Sequence, residues 1–185
     1  LVRMTTVAFD WRRYGASGGT LTIPLLVGNV ACARYLPAPY SSSGFDRDVP
    51  FALLLSENLL RVAVIGLPFF MPLDLSTTAQ RRRLALFVAG AVIYVASWVP
   101  LMVAPSAAWS TSLVGSLAPA YTPFIWLVGL GLLGGRRVGP WPLRRGVYLT
   151  LVAAFVTVHV AHAGVVYARI DESARRPDGP PISKV

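Results

Sequence analysis

Five stretches of mainly apolar residues, separated by short polar segments, make up most of the chain. Four of them carry at most two charged residues over about 20 positions. At 1.5 Å per residue, this is the length of helix that crosses a bilayer. The fifth stretch, nearest the N-terminus, is shorter and contains Pro24 and Asn29. The predicted spans lie near residues 20–36, 50–73, 84–104, 112–134 and 147–169. The pattern therefore predicts an all-α integral membrane protein, a compact bundle of about five transmembrane helices.

The composition agrees with this prediction. Of 185 residues, 55% are apolar and 14% are charged, whereas soluble domains have roughly a quarter charged residues and under half apolar ones. A soluble fold of this composition would expose large apolar patches, which aggregate. Lipid is therefore the expected partner of most of the surface.

The N-terminal stretch has two interpretations. It is either a retained helix or a cleaved signal peptide, with Arg12 and Arg13 as the basic region and 31–33 as an A-x-A cleavage site. A retained helix is favoured, because multi-pass proteins seldom need a removable signal.

The net charge of +9 comes from arginines that cluster at the ends of the apolar segments. With five spans, three arginine clusters fall on one side of the membrane, and the opposite loops are nearly free of basic residues. The clusters are Arg3, Arg12 and Arg13; Arg81, Arg82 and Arg83; and Arg136, Arg137, Arg144 and Arg145. The positive-inside rule then predicts a cytoplasmic N-terminus and an external C-terminus, and removal of the first span leaves the others in the same orientation.

The domain plan follows from these spans. Residues 1–19 form a cytoplasmic segment, 20–170 the helical bundle, and 171–185 a polar extracytoplasmic tail predicted to be disordered. Sixteen of the 17 basic residues are Arg, which suggests a GC-rich bacterial genome and hence the bacterial cytoplasmic membrane. Small residues recur along the last span at three- and four-residue steps and predict close helix packing there. They are Ala153, Thr157, Ala161, Gly164 and Ala168.

Charged residues inside an apolar span are candidates for function. Glu57 and Arg61 are four residues apart, so they share a helix face and can pair. An isolated charge at bilayer depth costs a few kcal/mol at least, and pairing reduces that cost. Asn58 beside them can complete their hydrogen bonds.

Two histidines on the last span, His159 and His162, share one helix face. Counting residues from the span ends places Glu57, Arg61 and both histidines roughly 10 to 16 Å below the outer interface. Asn29 and Tyr121 fall at comparable depth. These residues predict a polar layer in the outer half of the bundle, which either binds a ligand, relays protons or holds the helices in register. Chance alignment is the alternative, because span ends read from sequence are uncertain by several residues.

No cofactor is predicted, although haem or metal ligation by His159 and His162 is the weaker alternative. Both histidines lie on one helix, so one chain cannot supply two axial ligands from opposite sides of a haem. The single cysteine, Cys32, excludes an internal disulfide. Nucleic-acid binding is not expected, because no basic helix with interleaved aromatic residues is present.

The function class stays open at this point. The favoured interpretation is a structural or accessory subunit of a membrane complex, whose partners are the lipid bilayer and other proteins or further copies of the chain. The alternative is a small-solute transporter or ligand-binding membrane protein that uses the polar layer. An intramembrane enzyme is a third possibility, but it needs an acid–base or metal set that is not evident.

Overall fold

A computed structural model describes residues 17–37, 40, 42–73, 75–134, 137–138 and 141–175. The described part is mainly helical, with a short antiparallel hairpin and two isolated bridges, Ser17 with Pro72 and Leu73 with Gly134. The helices are α1 (Gly18–Ala33), α2 (Ser42–Phe45), α3 (Phe51–Gly66), α4 (Thr78–Val103), α5 (Ala108–Thr111), α6 (Leu113–Ser116), α7 (Ala118–Tyr121), α8 (Pro123–Leu133) and α9 (Arg145–Arg175). A 3₁₀ turn (Leu67–Phe70) follows α3, and strands β1 (Arg137–Val138) and β2 (Trp141–Arg144) precede α9.

Three helices are long and apolar enough to cross a membrane. They are Phe51–Phe70, which combines α3 with the 3₁₀ turn, then α4 and Arg145–Ser173 within α9. Two shorter apolar helical stretches, Gly18–Ala33 and Ala118–Leu133, accompany them. The helical class predicted from the sequence is therefore confirmed, and a membrane bundle is compatible with it.

Proline determines where several helices end. Pro68 and Pro72 follow α3, and the chain tightens into the 3₁₀ turn instead of continuing as α-helix to residue 73. The continuous helix predicted over 112–134 is replaced by α6, α7 and α8. Pro119 and Pro123 stand at the first positions of α7 and α8, where a missing N–H is tolerated.

The predicted end of the bundle also needs correction. Helix α9 continues to Arg175, so residues 171–175, assigned to a disordered tail, are helical. Arg175 pairs with Asp171 at 2.9 Å with the i,i+4 spacing of a helix. The rest of that tail and the predicted cytoplasmic segment up to residue 16 lie outside the described residues.

Glycine allows α4 and α8 to approach closely. A Cβ atom built on Gly90 would lie 2.5 Å from the backbone nitrogen of Trp126, and one on Gly129 would lie 2.7 Å from Phe87 Cα. No side chain fits at either position, so the two backbones touch. Around this contact lies a buried apolar core to which α3 and α9 add Val64, Tyr148 and Val152.

The small-residue stripe predicted to pack inside the bundle faces outward instead. Ala153, Thr157 and Ala161 are exposed, whereas Val152, Phe155 and Val166 of α9 are buried. Both sides of α9 are apolar, so the sequence pattern did not determine which side turns inward.

Two arginines bind the C-terminal end of α8. Arg83 Nη1 donates to the Leu132 carbonyl oxygen at 3.2 Å, and Arg145 Nη2 donates to the Gly134 oxygen at 2.9 Å. Free carbonyls and the partial negative charge of a helix C-terminus favour cations there. The start of α4, the end of α8 and the start of α9 therefore meet at one end of the molecule, which we name the arginine end.

Candidate functional site: a charged cluster between α3 and α9

One carboxylate forms the centre of the site. Glu57 is fully buried, with 0% of its side chain exposed. Its Oε1 accepts from Arg61 Nη2 and lies 3.0 Å from His159 Nδ1, and its Oε2 contacts His162 Nδ1. A buried carboxylate is tolerated when it is paired and hydrogen-bonded, and Glu57 has three such partners.

Helix geometry explains how the partners converge. Arg61 follows Glu57 by one turn of α3, so its side chain folds back along the same face. His159 and His162 are three residues apart on α9, so both rings point toward α3. Helices α3 and α9 pack against each other, and this contact brings the two pairs together.

The segment before α3 covers the cluster from one side. His162 Nε2 lies 3.1 Å from the carbonyl oxygen of Phe45, and the Phe45 ring centre lies 4.3 Å from the His162 ring centre. Asp46 Oδ1 is 3.9 Å from the same Nε2, and its side chain is 55% exposed. We call residues 44–48, the end of α2 and the turn after it, the outer loop, after the side of the membrane that the arginine clusters predict for it.

Arg169 of α9 holds the outer loop in place. Its Nη2 donates to the Gly44 carbonyl oxygen at 2.6 Å, and its Nη1 donates to the carbonyl oxygen of Arg47. Asp48 turns the chain toward α3 with a φ of 55°, a conformation that Asp adopts more readily than most residues. Tyr40, just before this loop, is half-buried. This burial raises the pKa of its phenol, and a hydrogen bond to Ser116 opposes the shift.

The opposite edge of the cluster is open. Arg61 Nη1 donates to Asn58 Oδ1 at 2.9 Å, Asn58 is exposed, and 41% of the Arg61 side chain is exposed. These two residues lie on the outside of the helix assembly. The cluster therefore has a covered side at the outer loop and an uncovered side on α3.

The remaining predicted site residues lie elsewhere. Asn29 Oδ1 accepts from the Tyr94 hydroxyl at 2.8 Å, between α1 and α4. Tyr121 donates to the Val114 carbonyl oxygen at 3.3 Å and lines an apolar groove of about 800 Å³ between α4 and α7–α8. The structure thus places Glu57, Asn58, Arg61, His159 and His162 in one cluster, and Asn29 and Tyr121 in two separate contacts.

Sequence reasoning missed Phe45, Asp46, Tyr94 and Arg169. Phe45 contacts His162 through its backbone carbonyl across 117 positions of chain, and no side-chain pattern reports such a contact. Asp46 sits in a short polar connection, where an acidic residue is ordinary. Tyr94 lies within a long apolar helix, where a single tyrosine does not stand out as a candidate site residue.

The chemistry available to the cluster is that of proton binding and charge pairing. Within the part of the chain that the structure describes, no group of three or more His, Cys, Asp or Glu residues has the geometry of a metal site. The Nδ1 atoms of both histidines face the Glu57 carboxylate, so those nitrogens are occupied by hydrogen bonds to it. Imidazole and carboxylate together can hold or pass a proton near neutral pH.

Comparison of the chain with protein-family models, curated proteins and solved structures found no match.

Proposed function

We propose that the chain is a five-span protein of the bacterial cytoplasmic membrane, with the N-terminus inside and the C-terminus outside. Support comes from three helices of spanning length together with the shorter apolar stretches at α1 and α7–α8. The arginine end gathers Arg83 and Arg145, members of two clusters that the positive-inside rule assigns to the cytoplasm. The outer loop then faces the outside.

Within this membrane, we propose that the protein acts as an accessory subunit of a larger complex. The observation that carries the proposal is the exposed pair Asn58 and Arg61. Asn58 lies about 10 Å along α3 from Phe51, at 1.5 Å per residue, on an outward stripe that also contains Leu55, Leu59 and Val62. Arg61, about 15 Å along the helix at the same rise, borders this stripe on the side of Glu57, and its side chain is 41% exposed.

A partly exposed guanidinium is unfavourable against lipid tails. Charged side chains at bilayer depth cost a few kcal/mol and turn toward protein or water. Polar side chains are also among the contacts that hold membrane helices together. A partner helix packed on the α3 stripe would cover both residues. Since a guanidinium offers only donors, that helix should supply an acceptor such as a carboxylate or an amide oxygen.

The alternative, a small-solute transporter, has less support from the geometry. Both Glu57 oxygens are engaged by neighbouring side chains, which leaves the carboxylate little capacity to bind a solute. The groove of about 800 Å³ is lined by other residues, most of them apolar. A transporter would need the cluster to open.

Photo-crosslinking in native membranes tests the subunit role. A photoreactive amino acid replaces Leu59 on the α3 stripe or, as matched control, Val92 on α4. The two side chains are 64% and 63% exposed, so they differ in surroundings and not in accessibility. We expect a discrete protein adduct from position 59 and lipid adducts from position 92.

The result that overturns the proposal is equally specific. If both positions give only lipid adducts, the α3 stripe faces the bilayer and the subunit role is wrong. As a second measurement, Leu59→Trp should displace the crosslinked partner from a co-purified complex, whereas Val92→Trp should leave it bound.

A further inference from the structure

We propose that His162 and Glu57 form an outward-facing proton-binding site, and that the bound proton holds the outer loop closed. The inference concerns the cluster's covered side, so it is independent of the subunit role proposed for the α3 stripe.

The hydrogen-bond partners of His162 carry the argument. Its Nδ1 faces a carboxylate oxygen of Glu57, and its Nε2 lies 3.1 Å from the Phe45 carbonyl oxygen. An ionised carboxylate and a carbonyl only accept hydrogen bonds. Both contacts are satisfied together when both ring nitrogens carry a proton, or when Glu57 itself is protonated and donates to Nδ1. Either arrangement holds one proton more than a neutral imidazole beside an ionised carboxylate.

Charged groups of three elements surround His162, and two of them are carboxylates that attract an extra proton. From α3 come Glu57 and, bound to the same carboxylate, Arg61. From the outer loop comes Asp46, with its Oδ1 3.9 Å from Nε2. His159 and Arg169 lie on α9 itself, the first against Glu57 and the second against the loop carbonyls. With His162 protonated, Glu57 and Asp46 balance its charge and that of Arg61, and the charge of Arg169 is directed at the loop carbonyls. The whole group then carries one net positive charge.

Losing the proton breaks the contact between His162 and the Phe45 carbonyl and leaves the contact with Glu57. When the Nε2 proton leaves to Asp46 or to water, His162 becomes neutral and keeps its Nδ1 proton toward Glu57. Its Nε2 lone pair then faces the lone pairs of the Phe45 oxygen, so that hydrogen bond is lost. The Glu57 contact survives. The proton therefore favours the closed outer loop, and its release weakens the closure.

Asp46 provides the route to the outside. It is half-exposed, and its carboxylate stands beside the nitrogen that gains or loses the proton. Because Asp46 Oδ1 is 3.9 Å from Nε2, a proton taken from water by Asp46 passes to Nε2 through a bridging water or a rotation of the Asp46 side chain, with no rearrangement of α3 or α9. In the proposed orientation this exchange takes place with the outer compartment.

The experiment exploits the fact that the chain has only two histidines. The full-length protein, labelled with ¹⁵N-histidine and reconstituted in lipid nanodiscs, gives imidazole NMR signals from His159 and His162 alone. His159→Gln assigns the spectrum by removing one set. We expect the His162 signals at pH 7 to show both nitrogens protonated, or one proton on Nε2 with a protonated Glu57 visible by infrared spectroscopy.

The second measurement is the pH dependence of the His162 signals, compared between two variants. Raising the pH should remove one proton from His162 and leave its Nδ1–H form. Asp46→Asn removes a neighbouring negative charge and should lower the midpoint of this titration by about 0.5 to 1 pH unit. Asp171→Asn, which changes a carboxylate far along α9, should leave it in place.

Two outcomes overturn the proposal. One is a His162 that is neutral at pH 6 to 7 beside an ionised Glu57, with no proton shared between them. The other is an unchanged midpoint in Asp46→Asn, which would show that the outer loop does not approach His162. The Asp46 variant changes a half-exposed residue and leaves the side chains of the buried cluster unchanged. His159→Gln, which does change the cluster, serves only to assign the signals.

Discussion

A carboxylate in the middle of an apolar helix is stable only when its neighbours neutralise it. At Glu57 these neighbours are Arg61 on the same helix and His159 and His162 on α9. The same atoms therefore tie α3 to α9. Removing the charge leaves two imidazoles and a partly exposed guanidinium with a single neutral acceptor oxygen in place of the carboxylate.

Replacing Glu57 by Gln should lower the free energy of unfolding by about 3 kcal/mol, the low end of the range for breaking a buried pair, because Arg61 stays partly hydrated. Asp171→Asn is the matched control, since it breaks the exposed Asp171–Arg175 pair and should cost less than about 0.5 kcal/mol. Denaturant unfolding in detergent micelles measures both. Equal losses would show that the Glu57 cluster contributes no more than a surface pair.

At the scale of elements, the contact between α4 and α8 depends on two glycines. Gly90 and Gly129 each face backbone atoms of the opposite helix. Gly164 of α9 is different, because an added Cβ there meets nothing within 4 Å. Glycine is therefore needed for close packing at positions 90 and 129, but not at position 164.

Gly129→Ala should therefore destabilise the protein by about 1 to 3 kcal/mol, since the new methyl group overlaps the α4 backbone. Gly164→Ala should leave stability unchanged or raise it by up to about 1 kcal/mol, because Ala favours the helix over Gly. Thermal unfolding of the two variants beside the parent protein gives the comparison. A stabilised Gly129 variant would contradict the close α4–α8 contact.

The elements differ in how well the sequence predicted them. Helices α3, α4 and α9 follow directly from long apolar runs, whose length fixes both type and approximate bounds. The rotation of each helix about its axis was not predictable, because lipid and core both accept apolar side chains. For that reason the stripe of Ala153, Thr157 and Ala161 was assigned to the wrong face.

Much of the candidate site followed from spacing and depth. The four-residue spacing of Glu57 and Arg61 and the three-residue spacing of the histidines placed each pair on one face. Because the two pairs were predicted at equal depth below one interface, we expected them to lie in contact. Asn29 and Tyr121 shared that depth and yet lie in other contacts, because depth fixes one coordinate and leaves the position around the bundle open. The loop contacts of Phe45 and Asp46 depend on tertiary folding alone.

At the scale of the whole molecule, the proposed orientation puts the arginine end inside the cell and the outer loop outside. The single native cysteine makes this measurable. In a Cys32→Ser background, Ser106→Cys lies beyond the end of α4 and Leu75→Cys lies before its start, and both positions are exposed.

A membrane-impermeant thiol reagent added to intact cells should label Ser106→Cys and not Leu75→Cys. After the membrane is permeabilised, both should react, which controls for local accessibility. The inverse pattern would reverse the orientation and place the outer loop in the cytoplasm. Equal labelling in intact cells would argue against a membrane between the two ends.

The contacts of α9 also impose an order on biogenesis. Helix α3 is synthesised long before α9, so in the proposed topology Glu57 enters the bilayer with Arg61 as its partner and without either histidine. In the proposed membrane topology, the Glu57 cluster is completed only when translation has reached His159 and His162, and Arg169 can bind the outer loop only after that. A chain that stalls before Arg145 would present a carboxylate that lacks two of its three partners.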